Sequence, residues 1–283
     1  MLGDSMGRKR FVYISHCRDI AFFDPVKEGM NDAAELLDVD VSFIGTDDID
    51  IDGQKSLLQN AIADEVDGIA TTVTHETAFD DLIGGALEHH IPIVCFNTDA
   101  SGGQGMQLAS LVQDTYAAGV RLGNFMADRM ESGAKALITL HSDGIDSLES
   151  RKKGITDGLS EKKIEWQFLT TGNGSEEARK RVSQFLKEHP EIQYVFGTGQ
   201  DDTVGSGQAV MDLELGESVT VCGFDISPDT KDLIRQGFVF ATVDQQPYMQ
   251  GFYPVFQLYH FIEKGLCPSD MDAGSNIITK DKM

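Results

Sequence analysis

The sequence predicts an α/β protein of two similar lobes, each built on a parallel sheet, and three observations carry that expectation. Short apolar runs alternate with amphipathic stretches at βαβ spacing, which implies right-handed crossovers between parallel strands. The alternation breaks at Ser101-Gly-Gly-Gln-Gly105 and then starts again, so a domain crossing is expected there. Late in the chain, two apolar runs end in polar side chains: Val219-Thr-Val-Cys-Gly-Phe-Asp225 and Ala241-Thr-Val-Asp-Gln245. Ligands of open parallel sheets bind beyond the carboxyl ends of the strands, so Asp225 and Gln245 mark a candidate polar cradle. The bland alternative is that both stretches simply cap helices.

Taken in order, Phe11–Ser15 is a first strand, followed by a loop over 16–23. Asp24-Pro25 opens a helix, with Asp as cap and an apolar stripe through Val26, Met30, Ala33 and Leu37. Strands are expected at 39–44, 68–73, 91–96 and 106–112, with helices at 54–64 and 76–89. In the second half, helices are expected at 115–130, 146–159, 175–188, 202–213, 228–236 and 247–264. The intervening strands are 134–140, 164–169, 192–196, 219–224 and 238–243, with a tail strand at 277–279. Ser227-Pro228 has the signature of a capped helix start.

Composition narrows the partners. The chain has 283 residues, 41% hydrophobic, with 23 Lys plus Arg against 46 Asp plus Glu, a formal charge of −23. That length suits two domains with packed cores. The charge opposes nucleic acid, whose binding rests on neutralised phosphates, and opposes an anionic membrane surface. It suits a soluble protein with a neutral or cationic small ligand, or solubility alone. Cys17, Cys95, Cys222 and Cys267 show no CxxC spacing, so neither zinc nor a redox motif is expected, and buried free thiols account for the first three. No apolar run has transmembrane length. The basic segment Met1–Arg10 is not followed by the apolar core of a signal peptide, which leaves a cytoplasmic protein or a removed signal as the expectations.

Catalytic and nucleotide motifs are missing. There is no GxxxxGK[ST] loop and no GxSxG elbow, and the glycines of Gly197–Gly205 do not match dinucleotide spacing. His75-Glu76 begins like a zinc-protease motif, but Phe79 stands where the second histidine belongs.

Several short stretches, in this order and at these separations, point to a family. They are Ala21-Phe-Phe-Asp-Pro-Val-Lys-Glu-Gly29, Val66-Asp-Gly-Ile-Ala70, Ile91-Pro-Ile-Val94, Gln113-Asp-Thr-Tyr-Ala-Ala-Gly119 and Ser150-Arg-Lys-Lys-Gly154, joined by the two strand tips above. From about Phe11 to Lys264 the chain resembles the sugar-binding proteins of ABC importers, the ribose/galactose-binding group of periplasmic binding proteins with the type I fold. The resemblance implies two Rossmann-like lobes joined by a three-crossover hinge, with boundaries at 1–112 plus 246–274 and 113–245 plus 275–283. It implies a sugar or polyol trapped in the interlobe cleft by hinge closure, with no chemistry and no cofactor. It further implies an ABC permease as partner with a separate ATPase subunit, a monomer, and a periplasmic or an extracellular, membrane-anchored location.

Residue by residue, the resemblance implies that Phe22 and Phe23 pack an aromatic face on the sugar ring, with at least one of them expected in the core. Arg151 would grip oxygens with its planar fork, the alternative being a surface ion pair with Glu149. Asp225 would accept hydroxyl protons, and Gln245 would both donate and accept. His16 at the first strand end is an extra contact or a structural residue. The chain departs from its relatives at three places. Asn97-Thr98 replaces an Asp-Arg pair, so a charged clamp is missing unless Asp99 turns inward. Asn173 replaces a loop aromatic, and Gly199-Gln200-Asp201 replaces Asn-Asp. These departures predict a more polar pocket and leave modified sugars, inositol-like polyols and furanosyl autoinducers open. The rivals are a ligand sensor of the same fold feeding a chemoreceptor or kinase, and a carbohydrate-active enzyme using Asp201 and Asp225.

Overall fold

The computed structural model describes residues 7–102 and 104–283. The first six residues of the N-terminal segment, and Gly103 at the centre of the Ser101–Gly105 break, lie outside the described residues. The chain forms two compact units, Met1–Gln113 with Gln246–Ala273 and Asp114–Gln245 with Gly274–Met283.

The first unit opens with β1 (Arg10–Ser15), α1 (Asp24–Leu37), β2 (Asp40–Gly45), α2 (Ile51–Ala63), β3 (Gly68–Val73), α3 (Asp80–Glu88), β4 (Ile93–Asp99) and β5 (Ser110–Val112). The second runs through α4 (Thr115–Ala127), β6 (Lys135–Leu140), α5 (Asp146–Gly158), β7 (Glu165–Thr170), α6 (Ser175–Glu188), β8 (Tyr194–Gly197), α7 (Gln200–Asp212), β9 (Thr220–Phe224), α8 (Pro228–Gln236) and β10 (Ala241–Asp244). The chain then returns to the first unit with α9 (Pro247–Lys264) and β11 (Met271–Asp272), and ends in the second with β12 (Asn276–Thr279).

The two sheets have the same strand order, β2-β1-β3-β4-β5-β11 and β7-β6-β8-β9-β10-β12. All pairs are parallel except β10 with β12. Successive side chains of a strand face opposite ways, so each sheet feeds two cores. Phe11, Tyr13, Ala70, Val94 and Phe96 pack under α1 and α9. Ile14, Ile69, Ile93 and Cys95 pack under α2 and α3. The second unit repeats this, with Ile138, Phe196 and Phe224 under α4 and α5 and Leu137, Val195 and Val221 under α6, α7 and α8. In both units the strand order makes β1 equivalent to β6, β4 to β9 and β5 to β10.

Helices α1 and α9 touch backbone to backbone. A Cβ on Gly251 would lie 2.7 Å from the Val26 carbonyl carbon and 2.9 Å from the Met30 nitrogen, and Gly29 meets the Tyr248 and Phe252 backbones in the same way.

Some element boundaries differ from expectation, each for a local reason. Asp24 is not a cap: Ala21–Phe23 forms a 3-10 turn that runs straight into α1, so Asp24 is already helical. Helix α2 starts three residues early because Asp50 accepts from Gly53 N at 3.0 Å. Helix α3 starts late because His75 Nδ1 accepts the amides of Thr77 and Ala78 (3.2 and 3.3 Å), closing a turn. The strand expected over 106–112 is only Ser110–Val112, and β4 runs on to Asp99 through a register shift against β3. Ser227 caps α8 as expected, accepting from Thr230 N at 3.1 Å. The four cysteines are free thiols, with Cys95 and Cys222 buried, Cys17 half-buried and Cys267 exposed.

Candidate functional site

Each unit gathers polar side chains at the C-terminal ends of its strands. In the second unit Asp225 follows β9 and Gln245 follows β10, which places them side by side because those strands pair. Gln245 Nε2 donates to Asp225 Oδ1 at 2.6 Å, and both residues are buried. Asp225 has a left-handed backbone, φ 70°, that is fixed from both sides. Its N–H donates to Val243 O at 2.9 Å, and its carbonyl accepts from Thr242 Oγ1 at 2.7 Å.

Arg151 lies on α5, 5% exposed. A surface pair with Glu149 does not describe it: Glu149 pairs with Lys152, while Arg151 Nη1 donates to Thr198 O at 2.9 Å. Its guanidinium carbon sits 4.5 Å over the Phe224 ring, a cation–π contact that holds the fork flat. Burial pulls the Arg151 pKa down, and the charges of Asp225 and Asp202 oppose this. Burial likewise pushes the Asp225 carboxyl up, opposed by Arg151, by Gln245 and by the Gln200 backbone amide, while Asp201 adds to the rise. The two groups thus hold each other's charge in a dry place, the condition under which a hydrogen bond to a ligand is strongest.

Around this group stand Asp201, Asn173 and His141. Asp201 Oδ2 accepts from Gly174 N at 3.2 Å, tying the loop after β7 to the start of α7. Asn173 is exposed on that loop, with its Oδ1 3.5 Å from Ser142 Oγ. His141 immediately follows β6, and its Nδ1 lies 3.1 Å from Ser142 Oγ. Burial lowers its pKa, and Asp201 and Asn173 oppose this. Its ring lies over the bare side of Gly199, where a Cβ would be 3.6 Å from the His141 Cδ2. His141 was not among the expected site residues. The duplication is the signal that finds it, because His16 follows β1 as His141 follows β6.

In the first unit His16 is the strand-end residue. Its N–H donates to Thr72 Oγ1 at 3.0 Å, and its ring meets Phe23 edge-on with centroids 5.7 Å apart. Burial brings its pKa down to about 4, so the imidazole is neutral at physiological pH. Its Nδ1 has no protein partner, and neither do Gln54 Oε1 and Thr74 Oγ1. Gln54 Nε2 donates to Thr72 O at 2.7 Å, so these unmatched acceptors belong to the ends of β1 and β3. Buried polar atoms without partners are costly, and a polyhydroxylated ligand would supply the missing donors.

Asn97 is the first unit's counterpart of Asp225. It lies within β4, two residues before its end, with φ 65°, and its Nδ2 donates to Gln250 Oε1 at 3.2 Å. Gln113 follows β5 as Gln245 follows β10, again buried. Two expectations need correction here. Phe23 has no exposed surface, being packed among Tyr13, Phe43 and Phe96, so only the half-buried Phe22 can offer a ring face. Asp99 does not turn inward as a clamp. Its oxygens take Ser101 N (3.1 Å), Gln107 Nε2 (2.7 Å) and the hydroxyls of Ser101 and Ser110, which pins the loop ahead of β5.

Two similar sheets, each presenting amides, hydroxyls and a histidine at its strand ends, with a buried Arg–Asp–Gln group in one, define a small-molecule binding protein. The chain belongs to the periplasmic binding protein domain family, whose model matches residues 11–265. It is 26% identical to the xylose/arabinose-binding protein XylF of Sulfolobus acidocaldarius, over 97% of this chain and 72% of that one. It is 25% identical to the ribose import binding protein RbsB of Bacillus subtilis, over 81% of this chain and 74% of the other. Among solved structures it resembles GanP, a glucose-galactose binding protein from Geobacillus stearothermophilus. That match has a TM-score of 0.84 at 27% identity and covers 98% of this chain and 99% of the other. A periplasmic sugar-binding protein from Legionella pneumophila gives 0.85 at 27% identity, covering 94% and 100%.

Proposed function

We propose that this chain is the sugar-binding component of an ABC importer, and that its strand-end polar groups hold a sugar or sugar-like polyol without transforming it. The observation that carries this is the buried group Arg151–Asp225–Gln245. A guanidinium offers donors, an ionised carboxylate offers acceptors and an amide offers both, which is the set a ring of alternating hydroxyls requires. The family and the names of its relatives support the same ligand class. Phe22 adds an apolar face for the C–H side of a ring. His16, Asn97 and Asn173 are uncharged at neutral pH, and Asp201 borders the group. Among these residues Arg151 is the one cation, and Asp225 and Asp201 are carboxylates, which suits an uncharged sugar better than a sugar acid or phosphate.

The sugar draws the population toward the form that binds it better, and that form delivers the sugar to a membrane permease. We further propose a separate ATPase subunit, a monomeric binding protein, and a location outside the cytoplasmic membrane, with an anchor in organisms lacking a periplasm. Among the described residues no helix is long and apolar enough to cross a membrane.

The test is a melting-temperature screen against pentoses, hexoses, inositols and sugar derivatives. A ligand at several hundred times its Kd adds about 3–4 kcal/mol of stability, a readily measured shift. At least one sugar is expected to do so, and a flat panel across all of them would overturn the proposal. With that sugar, His141→Ala is expected to weaken binding by roughly 3- to 10-fold, the worth of one neutral hydrogen bond, while melting of the free protein changes little. Unchanged affinity would remove His141 from the site.

A further inference from the structure

Asp202 lies behind the ligand group, fully buried, and no ligand can reach it. Its Oδ1 accepts from Gly199 N at 2.9 Å, and its Oδ2 accepts from Thr198 N at 2.7 Å and Thr139 Oγ1 at 3.0 Å. The Gly199 amide shares a peptide with the Thr198 carbonyl, and that carbonyl accepts from Arg151 Nη1 at 2.9 Å. One peptide unit therefore stands between a carboxylate on its N–H side and a guanidinium on its C=O side. Charges at both ends polarise the peptide in the same sense, and each hydrogen bond strengthens the other. The peptide itself cannot tilt, since Thr198 Oγ1 donates to Thr139 O at 2.9 Å and Gly199 O accepts from Thr203 Oγ1 at 2.6 Å.

We propose that Asp202 is a positioning residue for Arg151, acting through the Thr198–Gly199 peptide, so that ligand affinity follows the ionisation of Asp202. This rests on the sugar-binding function above. Two of the four donors to Asp202 are amides that cannot reverse, and the others are the hydroxyls of Thr139 and, at 3.5 Å, Thr198. A proton on the carboxyl is accommodated by one of these hydroxyls, the nearer being Thr139, and it removes the charge that polarises the peptide. Burial raises the Asp202 pKa to about 7, with the Thr198, Thr139 and Gly199 hydrogen bonds opposing the rise. The charged and titratable groups of the surrounding elements are Arg151 on α5, Asp201 on α7, Asp225 at the end of β9 and His141 at the end of β6.

The experiment is a titration of sugar affinity from pH 5.5 to 8.5 for the wild type, Asp202→Asn and Thr139→Val. Wild-type affinity is expected to rise with pH through about 7, several-fold in all. Asp202→Asn should bind about tenfold more weakly at pH 8 and lose that part of the profile. Thr139→Val removes one donor to the carboxylate and should move the midpoint to higher pH, which a merely structural role would not do. Wild-type affinity and profile in Asp202→Asn, or an unmoved midpoint in Thr139→Val, would overturn the proposal. If Asp202→Asn does not fold, Thr139→Val decides alone.

Melting of the ligand-free protein reads the same ionisation without sugar, so a failed sugar panel remains distinguishable. A carboxyl whose folded pKa is raised holds its proton longer in the folded state. Its stabilising contribution is complete below the ordinary carboxylate range and is lost as pH rises through about 7. His16, lowered to about 4, has the opposite sign, its contribution being lost as pH falls from about 6.5 toward 4. His16 cancels in the difference between wild type and Asp202→Asn.

Discussion

Asp225→Asn is expected to weaken sugar binding by about 100-fold, measured by calorimetry at pH 8. Hydrogen bonds to an ionised acceptor are worth about 1.5–3 kcal/mol each, and 1.4 kcal/mol is a factor of ten. The carboxylate already serves Gln245 through Oδ1 and also the Gln200 amide, which leaves its remaining lone pairs for ligand hydroxyls. An asparagine keeps one acceptor and turns the other into a donor facing Arg151. The variant also removes one of the two carboxylates whose charge supports this guanidinium, 5% exposed, the other being Asp202. Weakening the support of a buried charge costs stability, so the free protein should melt lower as well. The double variant with Arg151→Met separates the two effects. It should regain much of the melting temperature, since the buried guanidinium is removed together with the carboxylate, but none of the affinity. Affinity within threefold of wild type in Asp225→Asn would place the sugar elsewhere.

Gly251→Val is expected to be the most damaging single change outside the ligand group, lowering stability by about 3 kcal/mol or more. The new Cβ would collide with backbone atoms of Val26 and Met30, which no rotamer relieves. Relief requires α9 to move off α1, opening the core that Phe23, Val26, Val255 and Leu258 share. For a protein of this size the loss corresponds to a fall in melting temperature of roughly 6–12 °C. Gly85→Ala in α3 is the matched control. Nothing lies within 4 Å of its added Cβ, and alanine favours the helix, so melting should hold or rise slightly. Equal melting of Gly251→Val and wild type would mean that α9 is not seated on α1 as described.

The fold was legible because parallel strands buried on both faces are near-continuous apolar runs, and the helices between them carry one apolar stripe. Pro25 and Ser227-Pro228 marked helix starts for local steric reasons that need no tertiary context. Boundaries set by side chains reaching across a turn were not legible: the His75 imidazole, the Asp50 cap and the Asp99 network each moved an element end. In the site, Asp225 and Gln245 were readable as strand tips. Their contact was not, since it depends on β9 pairing with β10. Phe22 and Phe23 are adjacent and chemically identical, and only the turn of a 3-10 segment sends one into the core. Asp202 was invisible because a buried carboxylate and a solvated one are the same letter among 46 acids.

The left-handed backbone at Asn97 and Asp225 has an evolutionary consequence. Asparagine and aspartate enter that conformation at lower cost than most other letters, and both positions use one of the two. The letters are nearly isosteric and differ by one charge. A lineage of such proteins can therefore retune its diet by exchanging amide for carboxylate at either position, and the sheet beneath is never asked to refold.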